Sequence, residues 1–265
     1  VVTPTPIPAR TPPELPGFDP QWSRIVTIPA SSGSREGIAV HVLDTQWDSQ
    51  AVDLTVVCVH GNPTWSYLWR EVARQAPANV RVVAPDQVGM GFSARDASGG
   101  IRRLQQRIDD LGEIVQALDV QGPVVVIAHD WGGPVALGWV QGVLAEPDSR
   151  RLSYSISGVV LTNTAVHQPE HRTSPRVIAA TRLPWVLGTM TRRTQGFVRA
   201  TTMISRVDPA TARAFRAPYR TSAERTSIEG FVADIPLEPD HPSRITLDRI
   251  ATEMDRLHPV PTLLV

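Results

Sequence analysis

Apolar and polar residues follow two different rhythms along this chain. Near the start, the runs Ile25 to Ile28 and Ile38 to Leu43 alternate in character and flank the Ser/Gly-rich SSGSREG, which predicts an antiparallel hairpin. After it come TVVCV (Thr55 to Val59), VRVVA (Val80 to Ala84), VVVIA (Val124 to Ala128) and GVVLT (Gly158 to Thr162), which are short, β-branched and without alternation. Strands covered on both faces are written this way, so these four predict a parallel sheet. Between them LQQRIDDLGEIVQAL repeats Leu104, Ile108, Leu111, Val115 and Leu118 at spacings of three and four, the apolar stripe of an amphipathic helix. Strand alternating with helix implies an α/β fold with a doubly wound, mostly parallel sheet.

From about His167 to Leu257 the strand rhythm disappears and helical segments broken by prolines take over, in a stretch too long for an ordinary crossover. An inserted helical cap is expected. VPTLLV (Val260 to Val265) has the look of the next buried strand, and the sequence stops on it. The expected organisation is therefore a proline-rich arm or linker over 1–22, a core over 23–166, a cap over 167–257 and the start of a further core strand over 258–265, with the rest of the core missing.

Composition narrows the chemistry. Basic and acidic residues number 26 each in 265 residues, so no net field recruits nucleic acid or an anionic surface, and a small hydrophobic substrate is the expected partner. Every basic residue is arginine, which removes lysine Schiff bases and phosphate-binding P-loop lysines. The single cysteine, Cys58, lies inside an apolar run and is expected to be a small core residue, consistent with a reducing, cytoplasmic setting. The proline-rich start has neither part of a secretory signal, and no apolar run reaches the roughly 20 residues of a membrane span. Gly89-Met90-Gly91 only echoes a dinucleotide fingerprint, and no Cys/His cluster has metal spacing, so neither cofactor nor metal is expected.

In an open α/β sheet the reactive groups gather where strands end, which directs attention to HGNPTW (His60 to Trp65), PDQVGMGFS (Pro85 to Ser93) and HDWGG (His129 to Gly133). The last has the layout of a nucleophile elbow, with Ala128 and Gly132 at the small positions and Asp130 at the tip. A carboxylate there is ionised at neutral pH and attacks carbon without help from a base, giving an enzyme ester. The backbone N–H of Trp131 and one from the HGNP loop would supply oxyanion donors, and the Trp131 indole and Asn62 amide could hold a leaving anion. Asp is also a favoured helix N-cap, but a cap needs no partner motif such as HGNPTW. His60 and His129 are expected to pack their loops, Asp86 to hold a turn, and His167, His171, His241 and His258 are not assigned as base.

These motifs together resemble the aspartate-nucleophile, haloalkane dehalogenase-like branch of the α/β-hydrolase fold, from about Ile25 onward. RLQQRIDDLGEIVQAL, VVLTNTA and RAPYRTSAERTSIEGFVADIPLEPDHPS are more similar to the β-lactone decarboxylases of bacterial olefin biosynthesis. The resemblance implies Asp130 as nucleophile, Asn62 and Trp131 as oxyanion or leaving-group donors, and a cis-3,4-dialkyl β-lactone converted to cis-alkene and carbon dioxide. The loop after the sixth strand, LTNTAV, has Asn163 where an acid would stand, so the resemblance places the supporting acid after the seventh strand and the base histidine after the eighth, both beyond Val265. Some members are fused to an acyl-CoA-synthetase-like domain, and this chain is expected to be the front of a longer one. The alternatives are haloalkane dehalogenation and a noncatalytic binding protein. Epoxide hydrolysis asks for two cap tyrosines where only Tyr219 is present, and a serine esterase asks for a Ser at the elbow.

Overall fold

Seven strands lie in the order β1-β2-β4-β3-β5-β6-β7. The computed structural model describes residues 6–30, 37–46, 52–95, 101–146, 152–166 and 186–265. β1 (Ser23–Ile28) and β2 (Ile38–Asp44) form the expected hairpin, whose turn falls almost wholly outside the described residues. β2 also pairs antiparallel with β4 (Val80–Pro85), whereas β3 (Leu54–Val59), β5 (Gly122–His129), β6 (Tyr154–Thr162) and β7 (Thr262–Leu264) continue the sheet in parallel. β6 starts four residues before GVVLT because Tyr154 and Ile156, spaced two apart, place their side chains half-buried against the core.

On one face lie α2 (Leu104–Ala117) and α3 (Gly132–Ala145). The stripe of α2 is buried as its spacing requires, and α3 is apolar nearly all round because it is sandwiched between α2 and the sheet. The other face carries α1 (Arg70–Gln75) and an aromatic core in which Trp65 and Tyr67 stack with ring centroids 5.3 Å apart. Cys58 is wholly buried in this second core, and burial pushes its thiol pKa up, as suits a packing residue.

Beyond residue 186 the chain forms a π-helical turn (Gly188–Arg193), then α4 (Gly196–Ile204), α5 (Pro209–Arg216), α6 (Thr226–Ala233) and α7 (Arg244–Thr252). Val198, Phe215, Tyr219, Ile228 and Phe231 join the aromatic core and so seat these helices over the ends of the strands. α7 behaves differently from the expected cap. Its Leu247 and Ile250, with Leu257 after it, are buried with α2 and α3 in the first core, so packing returns the chain to the core before residue 257. His167 and His171 lie outside the described residues.

The proline-rich arm is extended but not a free linker. Ile7 bridges Arg95, Arg10 pairs with Glu224 at 2.7 Å, and the Tyr67 hydroxyl donates to Pro16 O at 2.7 Å. Phe18 then buries its ring beside Trp22 and Trp65. Extended proline-rich backbone has open carbonyls and little entropy left to lose, which lets a few such contacts dock it.

Candidate active site

β3, β4 and β5 end at one edge of the sheet, and the three loops selected from the sequence meet there. Asp130 follows β5 directly and has a φ of +53°. A non-glycine residue in this left-handed region costs about 1 kcal/mol, and here the turn is over-determined by its surroundings. The Asp130 carbonyl accepts from the Gly133 N–H at 2.9 Å and from the Thr164 hydroxyl at 2.6 Å. Gly132 starts α3 so close to β3 that a Cβ would stand 2.2 Å from Val59 O.

The carboxylate of Asp130 turns away from helix capping. The cap position of α3 is Trp131, with no side-chain cap bond, while Asp130 Oδ1 accepts from the Asn62 backbone N–H at 2.8 Å. The Trp131 backbone N–H is its second donor. Burial is the largest influence on this group and raises its pKa, while the two N–H donors and His129 oppose it. Partial desolvation strengthens a carboxylate as a nucleophile, whereas the two fixed N–H dipoles temper it and hold its orientation, and such dipoles suit an oxyanion formed later at the same place.

HGNPTW is held in reach by His60. Its Nδ1 donates to Gly61 O at 2.8 Å, and its Nε2 accepts from the Gln87 N–H at 3.0 Å. Both ring nitrogens are thus occupied, and burial holds the ring's pKa below its ordinary value, leaving a neutral tie between two loops. Gly61 itself lies against Asp130: a Cβ there would meet Asp130 Oδ1 at 2.2 Å. Asn62 is joined to Pro63 by a cis peptide bond, and its Nδ2 donates to Ile228 O of α6 at 3.2 Å. Its Oδ1 is buried without a partner among the described residues. The Trp131 side chain, partly buried, sits between the two cores.

PDQVGMGFS wraps the Asp86 carboxylate, which accepts from the Ser66 and Phe92 N–H groups at 2.7 Å each and from His41 Nδ1 at 2.8 Å. Burial alone would raise its pKa, but His41 and these donors hold it below the usual carboxylate range. Asp86 therefore holds a turn, and Gly89 and Gly91 serve that turn.

Three residues that sequence reasoning passed over support the site: Thr164, Gln87 and Tyr219. The Tyr219 hydroxyl accepts from the Gly91 N–H at 3.1 Å and donates to Thr64 O at 3.3 Å, so it is spent on joining cap to core. Among the described residues no histidine hydrogen-bonds Asp130. His41 and His241 are engaged elsewhere, His258 is exposed beside Asp255, and His129 Nδ1 is buried without a partner among the described residues. Asn163 N–H donates to Val265 O at 3.2 Å, which brings the end of β7 to the same edge as Asp130. No group of three or more His, Cys, Asp and Glu residues among the described ones could hold a metal.

An Asp-bearing elbow between β5 and α3, covered by helices inserted after β6, is an arrangement of the α/β-hydrolase fold. The chain belongs to the alpha/beta hydrolase family, whose model matches residues 56–264. It is 35% identical to a cis-3-alkyl-4-alkyloxetan-2-one decarboxylase of Xanthomonas campestris, over 82% of this chain and 72% of that protein. The protein of the same name from Shewanella oneidensis is 31% identical over 87% of this chain and 70% of its own length. Among solved structures, the haloalkane dehalogenase DpaA from Paraglaciecola agarilytica superposes with a TM-score of 0.71 at 21% identity, covering 97% of this chain and 82% of that one, a likeness of fold.

Proposed function

We propose that this protein is a β-lactone decarboxylase in which Asp130 opens a cis-3,4-dialkyl β-lactone. The observation that carries the reading is the Asp130 carboxylate gripped by the Asn62 and Trp131 backbone N–H groups, on a residue whose backbone φ is +53°, in a chain whose curated relatives are named for this reaction. With Oδ1 held, Oδ2 is the attacking atom, and release of four-membered-ring strain drives the step.

Two routes follow from the point of attack. At the ring carbon bearing oxygen, attack breaks the C–O bond and gives a β-acyloxy carboxylate. That intermediate expels carbon dioxide and returns the Asp130 carboxylate as the alkene forms, with no water consumed. At the carbonyl, attack breaks the acyl C–O bond and gives a mixed anhydride with a free β-alkoxide; its hydrolysis, which needs a general base, returns Asp130 and gives a β-hydroxy acid in place of the alkene. The base and its supporting acid are not assigned to described residues. Asn62 Nδ2 and the Trp131 indole would face the carboxylate or alkoxide that leaves.

The test is incubation of wild type and Asp130→Asn with a cis-dialkyl β-lactone and, separately, a bromoalkane in ¹⁸O-water. Unlabelled cis-alkene and carbon dioxide from wild type only are expected, and ¹⁸O in Asp130 or in a β-hydroxy acid product would mark attack at the carbonyl. Bromide release without alkene would reassign the protein to haloalkane hydrolysis, and neither product nor covalent adduct would favour a binding role.

A further inference from the structure

The cap carries a surface that the reaction does not use. Between residues 190 and 220 the sequence has seven arginines and one acid, Asp208, in a chain whose formal net charge is zero. The π-helical turn, α4 and α5 hold most of them and pack against one another as one body. Arg193, Arg199, Arg206, Arg213 and Arg220 are exposed and have no acidic partner among the described residues. Arg192 meets Glu229 only at 3.6 Å, and Asp208 is occupied in capping α5 through the Ala210 and Thr211 N–H groups. Among the described residues the positive charge is therefore not neutralised where it stands.

Large apolar side chains rise from the same body. Ile204 is 80% exposed and Met203 76%, while Met190 is also exposed. On α4, Val198 and Thr202 face inward, which leaves Arg199 and Met203, four residues apart, together on the outer side. The Met190 backbone lies against Gly196 at the start of α4, so the turn and the helix share this outer corner. Beside α5 opens a cleft of about 330 Å³ lined by Leu15, Pro16, Ala214, Arg213 and Arg220, with Glu14 its one acid.

Arginines around adjacent aliphatic side chains at a helix end are the composition of a peripheral membrane contact. The cations meet headgroup phosphates and the apolar tips enter the acyl boundary. We infer that this face of the cap docks the protein on an anionic lipid bilayer, with Met203 and Ile204 inserted. An acidic protein partner would satisfy the charge, but unpaired arginines spread over three elements fit a laterally continuous anionic surface better than one acidic patch. The docking does not rest on the reaction proposed for Asp130. A membrane-dissolved substrate would, however, reach the cap from this side without crossing water.

Co-sedimentation of the full chain with phosphatidylcholine vesicles, with and without phosphatidylglycerol, tests this. Binding to the anionic vesicles is expected to be at least about tenfold tighter, and to weaken as salt is raised from about 0.05 to about 0.5 M. The combined variant Arg199→Glu, Arg206→Glu, Arg213→Glu should lose about tenfold or more in affinity. Met203→Ser with Ile204→Ser should weaken binding while keeping its salt dependence, and Asp130→Asn should bind as wild type. All these docking-face positions are exposed, and circular dichroism checks that the variants fold. Equal binding to both vesicle types, no vesicle binding by folded wild type, indifference to both surface variants, or retention on polyglutamate without vesicle binding would each overturn the proposal.

Discussion

Replacing Gly61 by alanine tests whether the loop after β3 and the nucleophile turn act as one unit. The new Cβ would stand 2.2 Å from Asp130 Oδ1, 2.5 Å from its Cβ and 2.7 Å from its Cγ. Ordinary contact begins near 3.4 Å, so about 1 Å of separation must open between the two loops. Neither side yields cheaply, because His60 ties one loop to Gln87 and Thr164 with Gly133 ties the other. The Asn62 N–H bond to Oδ1, now 2.8 Å, would lengthen beyond useful range. Overpacking of this kind costs about 1–3 kcal/mol of stability. A nucleophile displaced by about 1 Å loses on the order of 10²-fold in rate. Single-turnover consumption of a dialkyl β-lactone gives the rate, and differential scanning calorimetry gives Tm. A Gly61→Ala protein with wild-type Tm and wild-type consumption would refute the claim that these loops are locked against each other.

Asp130→Asn should abolish alkene formation and raise Tm at neutral pH, since the raised pKa of Asp130 means that its ionised form costs stability above the ordinary carboxylate value of 3.8; a lower Tm would show that the turn needs the charge. Tyr219→Phe strands the buried Gly91 N–H and should lower stability by about 1–3 kcal/mol in chemical denaturation, an unchanged midpoint counting against the bridge from cap to core. His60 is buried with its pKa lowered from 6.5, so the unfolded chain takes up its proton first as pH falls. Stability is then fully present above about 6.5 and is lost progressively below it, down to the folded pKa. Tm measured from about pH 7 to about pH 5 should fall more steeply for wild type than for His60→Gln, and parallel curves would exclude His60 as a source.

The parallel strands were legible because burial on both faces leaves little choice but small or β-branched apolar residues, as in Val56 to Val59. The site's backbone was legible for a related reason. A turn that lifts Asp130 between close-packed elements requires small residues at Ala128, Gly61 and Gly132. What stayed hidden depended on partners distant in sequence. Nothing local tells that the Tyr219 hydroxyl meets Gly91 and Thr64, 128 and 155 residues away, or that the arm from Ile7 to Phe18 docks instead of hanging free. RITLDRIAT has the same amphipathic period whether it packs on a cap or on α2 and α3, so the placement of α7 needed the tertiary structure.

Asn62 has a side chain whose two ends are nearly alike in shape and opposite in polarity. A half-turn of the amide exchanges a donor for an acceptor, and in a site where negative charge builds up that exchange turns attraction into repulsion. The Ile228 carbonyl, 166 residues further along, takes one hydrogen of Nδ2 and so selects which end is which. Through that single bond the helix above the site works as a polarity selector: it need not touch a substrate to fix which end of the Asn62 amide is left for any group that enters.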